Sequence, residues 1–142
     1  MNSALKSETP IRILLVDDNE MVRSSLIDYL TMFDDMEIVG EAGNGKEAVE
    51  LCSKLHPEVV LMDLDMPVMD GIEATKMITC MDLEIKVIIL TEFGLDKTVE
   101  AQQAGAQFYL EKGVSMEELV EAIRSPNGKS LHQDIEQKVE GE

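Results

Sequence analysis

Cysteine and positive charge are both scarce in this chain, and it contains no long apolar run. Cys52 and Cys80 are the only cysteines in 142 residues and form no CxxC pair, so neither a disulfide framework nor a zinc site is expected. Both read as reduced, buried helix residues, as free cysteine commonly is. Lysine and arginine number 12 against 29 aspartates and glutamates, a formal charge of -17, which excludes non-specific attraction to nucleic-acid backbones or anionic membranes. Any DNA contact must come from a part not present in this sequence. No apolar stretch approaches the roughly 18 to 20 residues of a membrane span. The opening MNSALKSETP is polar rather than the apolar core of a signal peptide, so a cytoplasmic protein with no membrane partner is expected.

What is present suffices for one domain: 44% of the residues are hydrophobic, enough for a core and one principal site. Five apolar runs of strand length recur at Ile11 to Val16, Glu37 to Gly40, Glu58 to Met62, Lys86 to Leu90 and Gln107 to Leu110. Runs such as IRILLV, EVVLM and KVIIL are nearly continuous and rich in β-branched residues, as parallel strands covered on both faces require. Between them the apolar period lengthens to that of helices. Val22, Leu26, Leu30 and Phe33 make one stripe, and Ala48, Leu51, Cys52 and Leu55 another. Asn44 with Glu47, Asp70 with Glu73 and Ser115 with Glu118 read as helix-start pairs. The pattern predicts an α/β (βα)5 three-layer sandwich. Its weakest helix is 95–104, where only Leu95, Val99 and Ala104 offer apolar contact. After Arg124, the group Pro126, Asn127 and Gly128 breaks the last helix. Leu131, Ile135 and Val139 then predict a further short helix that needs a partner.

The stretch VVLMDLDMPVMDG, residues 59–71, ends an apolar strand in Asp63, adds Asp65 and breaks at Pro67 and Gly71. In open parallel sheets, ligands bind beyond the carboxyl ends of strands where the strand order reverses. In the flavodoxin-like order 2-1-3-4-5, Asp17 and Asp18, which follow ILLV, lie beside Asp63. Three carboxylates in one pocket repel one another, and a divalent hard cation resolves this. Mg2+ takes oxygen ligands from one or two carboxylates and leaves positions for phosphate oxygens. Asp18 and Asp63 would be direct ligands, Asp17 would act through water, and Asp65 would offer its backbone carbonyl. Thr91 and Lys112 come to the same rim from the fourth and fifth strands and could hold phosphoryl oxygens. Other roles stay open: Asp17 or Asp18 could cap the following helix, Asp63 could close a turn, Lys112 could be a solvated charge, and Tyr109 could be a packed strand residue. Met66, Met69 and Met77 read as packing, and His56 and His132 as surface residues.

LLVDDNE, VVLMDLDMPVMDG, VIILT, AGAQFYLEKG and SMEELVEAIR together resemble the receiver domain of bacterial two-component response regulators, over about Ile11 to Arg124. The resemblance implies that Asp63 is the phosphoacceptor. Asp17, Asp18, Asp63 and the Asp65 carbonyl would serve Mg2+, and Thr91, Lys112 and Tyr109 would bind the phosphoryl group and transmit the switch. It also implies a sensor histidine kinase as phosphoryl donor. A homodimer would form through the fourth helix, fifth strand and fifth helix, or through neighbouring helices. The molecule would assist its own phosphorylation and dephosphorylation without being a turnover enzyme. The tail NGKSLHQDIEQKV is similar to linkers in the LuxR/NarL-type subfamily. The expected division is a receiver over 9–125 and, at 126–142, a linker toward a DNA-binding effector domain absent from this chain. That domain would control transcription; a natural single-domain receiver is the rival reading. Two departures from the family pattern are Glu92, where a small residue is common, and Gly113, where proline is common.

From another class, a haloacid-dehalogenase-type phosphohydrolase also places Asp-x-Asp after an apolar strand. Asp63 would then be the nucleophile and Asp65 its general acid. That family expects its further acidic pair late in the chain, whereas here it comes early. A flavodoxin-like electron carrier would need a Ser-, Thr- and Gly-rich loop where DDNE stands. A receiver-shaped module independent of phosphate is the third alternative.

Overall fold

A computed structural model describes residues 9–82, 84–92 and 96–126. Five strands alternate with five helices: β1 Ile11–Val16, α1 Glu20–Leu30, β2 Met36–Ala42, α2 Gly45–Leu55, β3 Val59–Asp63, α3 Gly71–Met81, β4 Lys86–Thr91, α4 Thr98–Ala104, β5 Phe108–Glu111 and α5 Met116–Arg124. The strands form one parallel sheet in the order β2-β1-β3-β4-β5. This is the expected flavodoxin-like arrangement, and it follows from the continuous apolar runs. The three central strands β1, β3 and β4 are covered on both faces, whereas β2 and β5 at the edges are only partly buried.

Alternate strand residues divide into two cores. Leu14, Val16, Val60, Met62, Val87 and Ile89 pack with Ala48, Cys52, Ala74, Ile78 and Ala101 of α2, α3 and α4. Ile13, Leu15, Leu61, Ile88 and Leu90 pack with Leu30 of α1 and with Leu119, Val120 and Ile123 of α5. Each fully buried side chain of this kind stabilises the fold by about 1.5–3 kcal/mol.

Three helix starts are capped as expected: Asn44, Asp70 and Ser115 accept from the N–H of Glu47, Glu73 and Glu118. The first helix differs. Its cap is Asn19, which accepts from Met21 and Val22, so neither Asp17 nor Asp18 is used for capping. Helix α4 begins at Thr98 and has no side-chain cap; it is shorter than the 95–104 expected, and Leu95 lies outside the described residues. Cys52 is buried, but Cys80 is exposed. At the end of α3 only one face meets the core, and Cys80 and the exposed Met77 fall off it, so Met77 is not a packing residue. Met66 and Met69 do pack against the first core. Leu131, Ile135, Val139, His132 and the linker from 127 onward lie outside the described residues. Among the described residues, no helix is long and apolar enough to cross a membrane.

Candidate functional site

Each site residue sits where an apolar strand leaves the sheet. Val16 of β1 pairs with Met62 of β3, so Asp17 emerges beside Asp63, the last residue of β3. Asp63 pairs with Leu90, so Thr91 closes the neighbouring strand at the same rim. Lys112 follows β5, and its N–H donates to the Thr91 carbonyl at 2.7 Å. The turn after β3 leaves the rim at once because Gly71 N–H donates to the Leu64 carbonyl at 2.9 Å. At Gly71 a Cβ would stand 2.1 Å from the Asp63 carbonyl oxygen. Glycine is required there for close approach, which explains why the apolar run, the acids and the break occur together.

Asp17, Asp18 and Asp63 each offer a carboxylate oxygen within 4.8 Å of the others. Asp17 and Asp63 are buried and Asp18 is exposed. Lys112 Nζ reaches Asp17 Oδ2 at 2.7 Å and Asp63 Oδ1 at 3.5 Å, and Glu92 stands 3.9 Å from the same ammonium. Burial pushes the Asp63 carboxyl up to about 6, with the Asp17 charge adding to the rise; Lys112 opposes it, and Asp18 adds a smaller push. Burial alone would lower Lys112, but its hydrogen bond to Asp17 and the charges of Asp63, Asp17 and Glu92 outweigh that and raise it. The pocket therefore holds more negative charge than one ammonium neutralises, and all its donor atoms are hard oxygens. That is the donor set a small divalent cation such as Mg2+ takes.

The remaining expected residues divide. Thr91 is buried at the end of β4, and Tyr109, at 7% exposure, packs in the first core. The Tyr109 hydroxyl is hydrogen-bonded to the Lys97 backbone and the Thr91 side chain; burial nevertheless raises its pKa. Tyr109 is thus buried in contact with Thr91. Asp65 is exposed, outside the acidic group, and its charge acts on Tyr109. Two residues with a hold on the pocket were not anticipated. Asn19 N–H donates to Asp17 Oδ1 at 2.9 Å, and Arg23 Nη1 donates to the Asp17 carbonyl oxygen at 2.5 Å. Asn19 carried a signal, since Asn directly before an apolar-periodic segment is a favoured cap. Arg23 carried only one: it is a cation one turn beyond an acidic loop in a chain poor in cations.

Residues 13–124 match the model of the response regulator receiver domain, and the chain belongs to that family. It is 49% identical over 117 residues to the transcriptional regulatory protein LiaR of Bacillus subtilis, covering 81% of this chain and 55% of that protein. Response regulator protein VraR of Staphylococcus aureus is 43% identical over 123 residues, covering 85% of this chain and 59% of that protein. The chain therefore spans little more than half the length of these relatives. Among solved structures, a LuxR-family two-component response regulator from Aurantimonas superposes with a TM-score of 0.79 at 32% identity. That match covers 92% of this chain and 98% of the other. Nothing in these matches supports the phosphohydrolase alternative.

Proposed function

We propose that this domain is a signalling switch that accepts a phosphoryl group on Asp63 from a phosphohistidine of a sensor kinase. The observation that carries the reading is the convergence of Asp63 with Asp17, Asp18 and the Lys112 ammonium in one pocket at the carboxyl edge of the sheet. A carboxylate oxygen of Asp63 attacks phosphorus, the phosphorus–nitrogen bond to the histidine breaks, and its electron pair returns to the imidazole. Asp63 is left as an acyl phosphate. Asp18 and Asp63, with Asp17 through water and the Asp65 carbonyl, would hold Mg2+, and the ion would neutralise charge on the transferred oxygens. Lys112 presents a point charge to the same oxygens.

Because Asp63 is ionised before transfer, the acyl phosphate adds only about one further negative charge. The new oxygens therefore carry the signal. Thr91 donates its hydroxyl to them, and Tyr109 behind it biases the face made by α4, β5 and α5 between two arrangements. That face, or neighbouring helices, forms a homodimer. The domain assists its own phosphorylation and dephosphorylation but is not a turnover enzyme. In the whole protein it comprises residues 9–125, with 126–142 leading to a DNA-binding effector domain that controls transcription in the cytoplasm. LiaR, a transcriptional regulatory protein by name, supports this last step.

The test is incubation of wild type and Asp63→Asn with acetyl phosphate, with and without Mg2+, followed by intact-mass analysis over time. A phosphate-sized gain that needs both Asp63 and Mg2+ and decays slowly is expected. Free phosphate accumulating without any adduct would reinstate a hydrolase, and neither product would leave a module that works without phosphate or one that accepts a phosphoryl group only from its own kinase.

A further inference from the structure

Asp17 is held at every polar atom, and three of the four holds are expected from the site and the sheet. Its N–H continues the ladder to the Ala42 carbonyl at 3.1 Å. Its carboxylate takes Asn19 N–H on one oxygen and Lys112 on the other. The fourth hold is Arg23. From the second turn of α1, the guanidinium turns back to donate Nη1–H to the Asp17 carbonyl, while Nε–H donates to Glu41 Oε1 at 2.9 Å. Arg23 is mostly buried, its side chain 17% exposed, and Glu41 stands in β2 next to Ala42.

The Asp17 carbonyl belongs to the peptide plane that joins Asp17 to Asp18. Fixing its oxygen fixes the plane, and the plane sets where the Asp18 side chain starts. Asp18 is the exposed member of the acidic group, so backbone orientation has the largest part in aiming it. A planar guanidinium with donors in a rigid fork can hold a carbonyl and a carboxylate at once; an ammonium is a single point on a flexible stem.

We propose that Arg23 is a positioning residue for the divalent-cation pocket. By bridging the Asp17 carbonyl to Glu41 of β2, it holds the β1–α1 loop in the orientation that brings Asp18 to Asp17 and Asp63. The proposal rests on the Mg2+ reading of that pocket. It also separates geometry from charge. A cation near a cation site repels the incoming ion, so a purely electrostatic Arg23 would weaken Mg2+ binding, whereas a positioning Arg23 strengthens it. Partners that orient metal ligands typically alter metal affinity by about 10–100-fold when removed.

The experiment is calorimetric titration of Mg2+ into the full chain for wild type, Arg23→Lys, Arg23→Gln and Glu41→Gln, with thermal unfolding of each in chelator as the folding control. Arg23→Lys keeps the charge and loses the fork; its Mg2+ affinity is expected to fall about tenfold. Arg23→Gln is expected to fall at least as far, and Glu41→Gln by about two- to threefold, since its amide oxygen still accepts. At saturating Mg2+ the rate of Asp63 phosphorylation by acetyl phosphate should stay within about twofold of wild type, because the reacting groups are intact. A general loss of stability would lower both readouts together. Arg23→Lys and Glu41→Gln both binding like wild type would overturn the proposal, as would tighter binding by Arg23→Gln. If Arg23→Gln fails to fold, Arg23→Lys, which changes no charge, decides, and wild-type affinity in it would overturn the proposal. A wild type that binds no Mg2+ would overturn the metal reading, an outcome distinct from any variant result.

Discussion

Asp63 combines two properties that ordinarily exclude each other: it is nearly buried, and the proposed role as phosphoacceptor needs it charged. Its carboxyl is pushed up to about 6 by burial and by Asp17, while an unfolded aspartate ionises near 3.8. Between about pH 4 and pH 6 the folded state holds a proton that the unfolded state has released. Stability contributed by this group therefore falls as pH rises through that window. In chelator, Asp63→Asn should gain on wild type by about 2–3 kcal/mol between pH 4 and pH 7, read from denaturant melts. A difference that is flat across that range would remove the electrostatic account. Gly71 sets the other limit at this scale. Gly71→Ala would drive a Cβ against the Asp63 carbonyl and is expected to destabilise by about 1–3 kcal/mol while slowing phosphorylation, because the displaced strand end carries the proposed phosphoacceptor. A phosphorylation rate equal to wild type would show that the end of β3 tolerates the shift. Both residues were legible in the sequence, since the acids and the break stand together in one motif. Val68 was not. It is a β-branched residue in the left-handed region, with φ of 73°, and no composition rule marks such a position.

Helix ends separate what could be read from what could not. Asn44, Asp70 and Ser115 announced three starts because a cap is a local event, written within four residues. The end of α5 is fixed by partners remote in sequence. Lys86, at the start of β4 and 2% exposed, donates from Nζ to the carbonyls of Ala122 at 2.7 Å, Ile123 at 2.9 Å and Ser125, and lies over the Phe108 ring. Burial pushes its ammonium down to about 8, so it remains mostly protonated at neutral pH, facing the negative end of a helix. From the other side, Arg124 forks onto Asp35 with bonds of 2.8 and 2.9 Å and covers the Phe33 ring. Sequence patterning shows Lys86 only as the first residue of the fourth apolar run and cannot see a contact 36 residues away. Replacing it leaves buried carbonyls without a donor, each such group costing about 1–3 kcal/mol. Lys86→Met should lower stability by about 2–4 kcal/mol and strip exchange protection from the last turn of α5 before the rest of the helix. Uniform loss of protection along α5 would mean that Lys86 supports the core rather than the helix end. Helix α4 lies at the opposite extreme, with seven residues and no side-chain cap; low apolar content made its weakness legible and its short length consistent.

At the scale of the whole molecule, a formal charge of -17 surrounds a pocket that, on the proposed function, admits an anionic phosphoryl donor. The local field and the general field have opposite signs. On the proposed reading, Lys112 and a divalent cation would attract a phosphoryl donor at contact, whereas 29 acidic side chains repel an anion on approach, and Glu92, 61% exposed and 3.9 Å from Lys112, extends that repulsion to the rim. Salt distinguishes them, because screening acts on exposed charges over about 10 Å at 0.1 M and acts far less on buried contacts. With Mg2+ saturating, raising the salt from about 20 mM to about 200 mM should speed phosphorylation by acetyl phosphate by about two- to fivefold. In Glu92→Ser the rate at low salt should be higher and the salt slope smaller, since one repelling charge at the rim is gone. A protein donor that carries its own complementary surface would not share this slope. Phosphorylation that slows as salt rises would mean that attraction by the pocket governs approach as well as contact, and the acidic exterior would then have no part in choosing the donor.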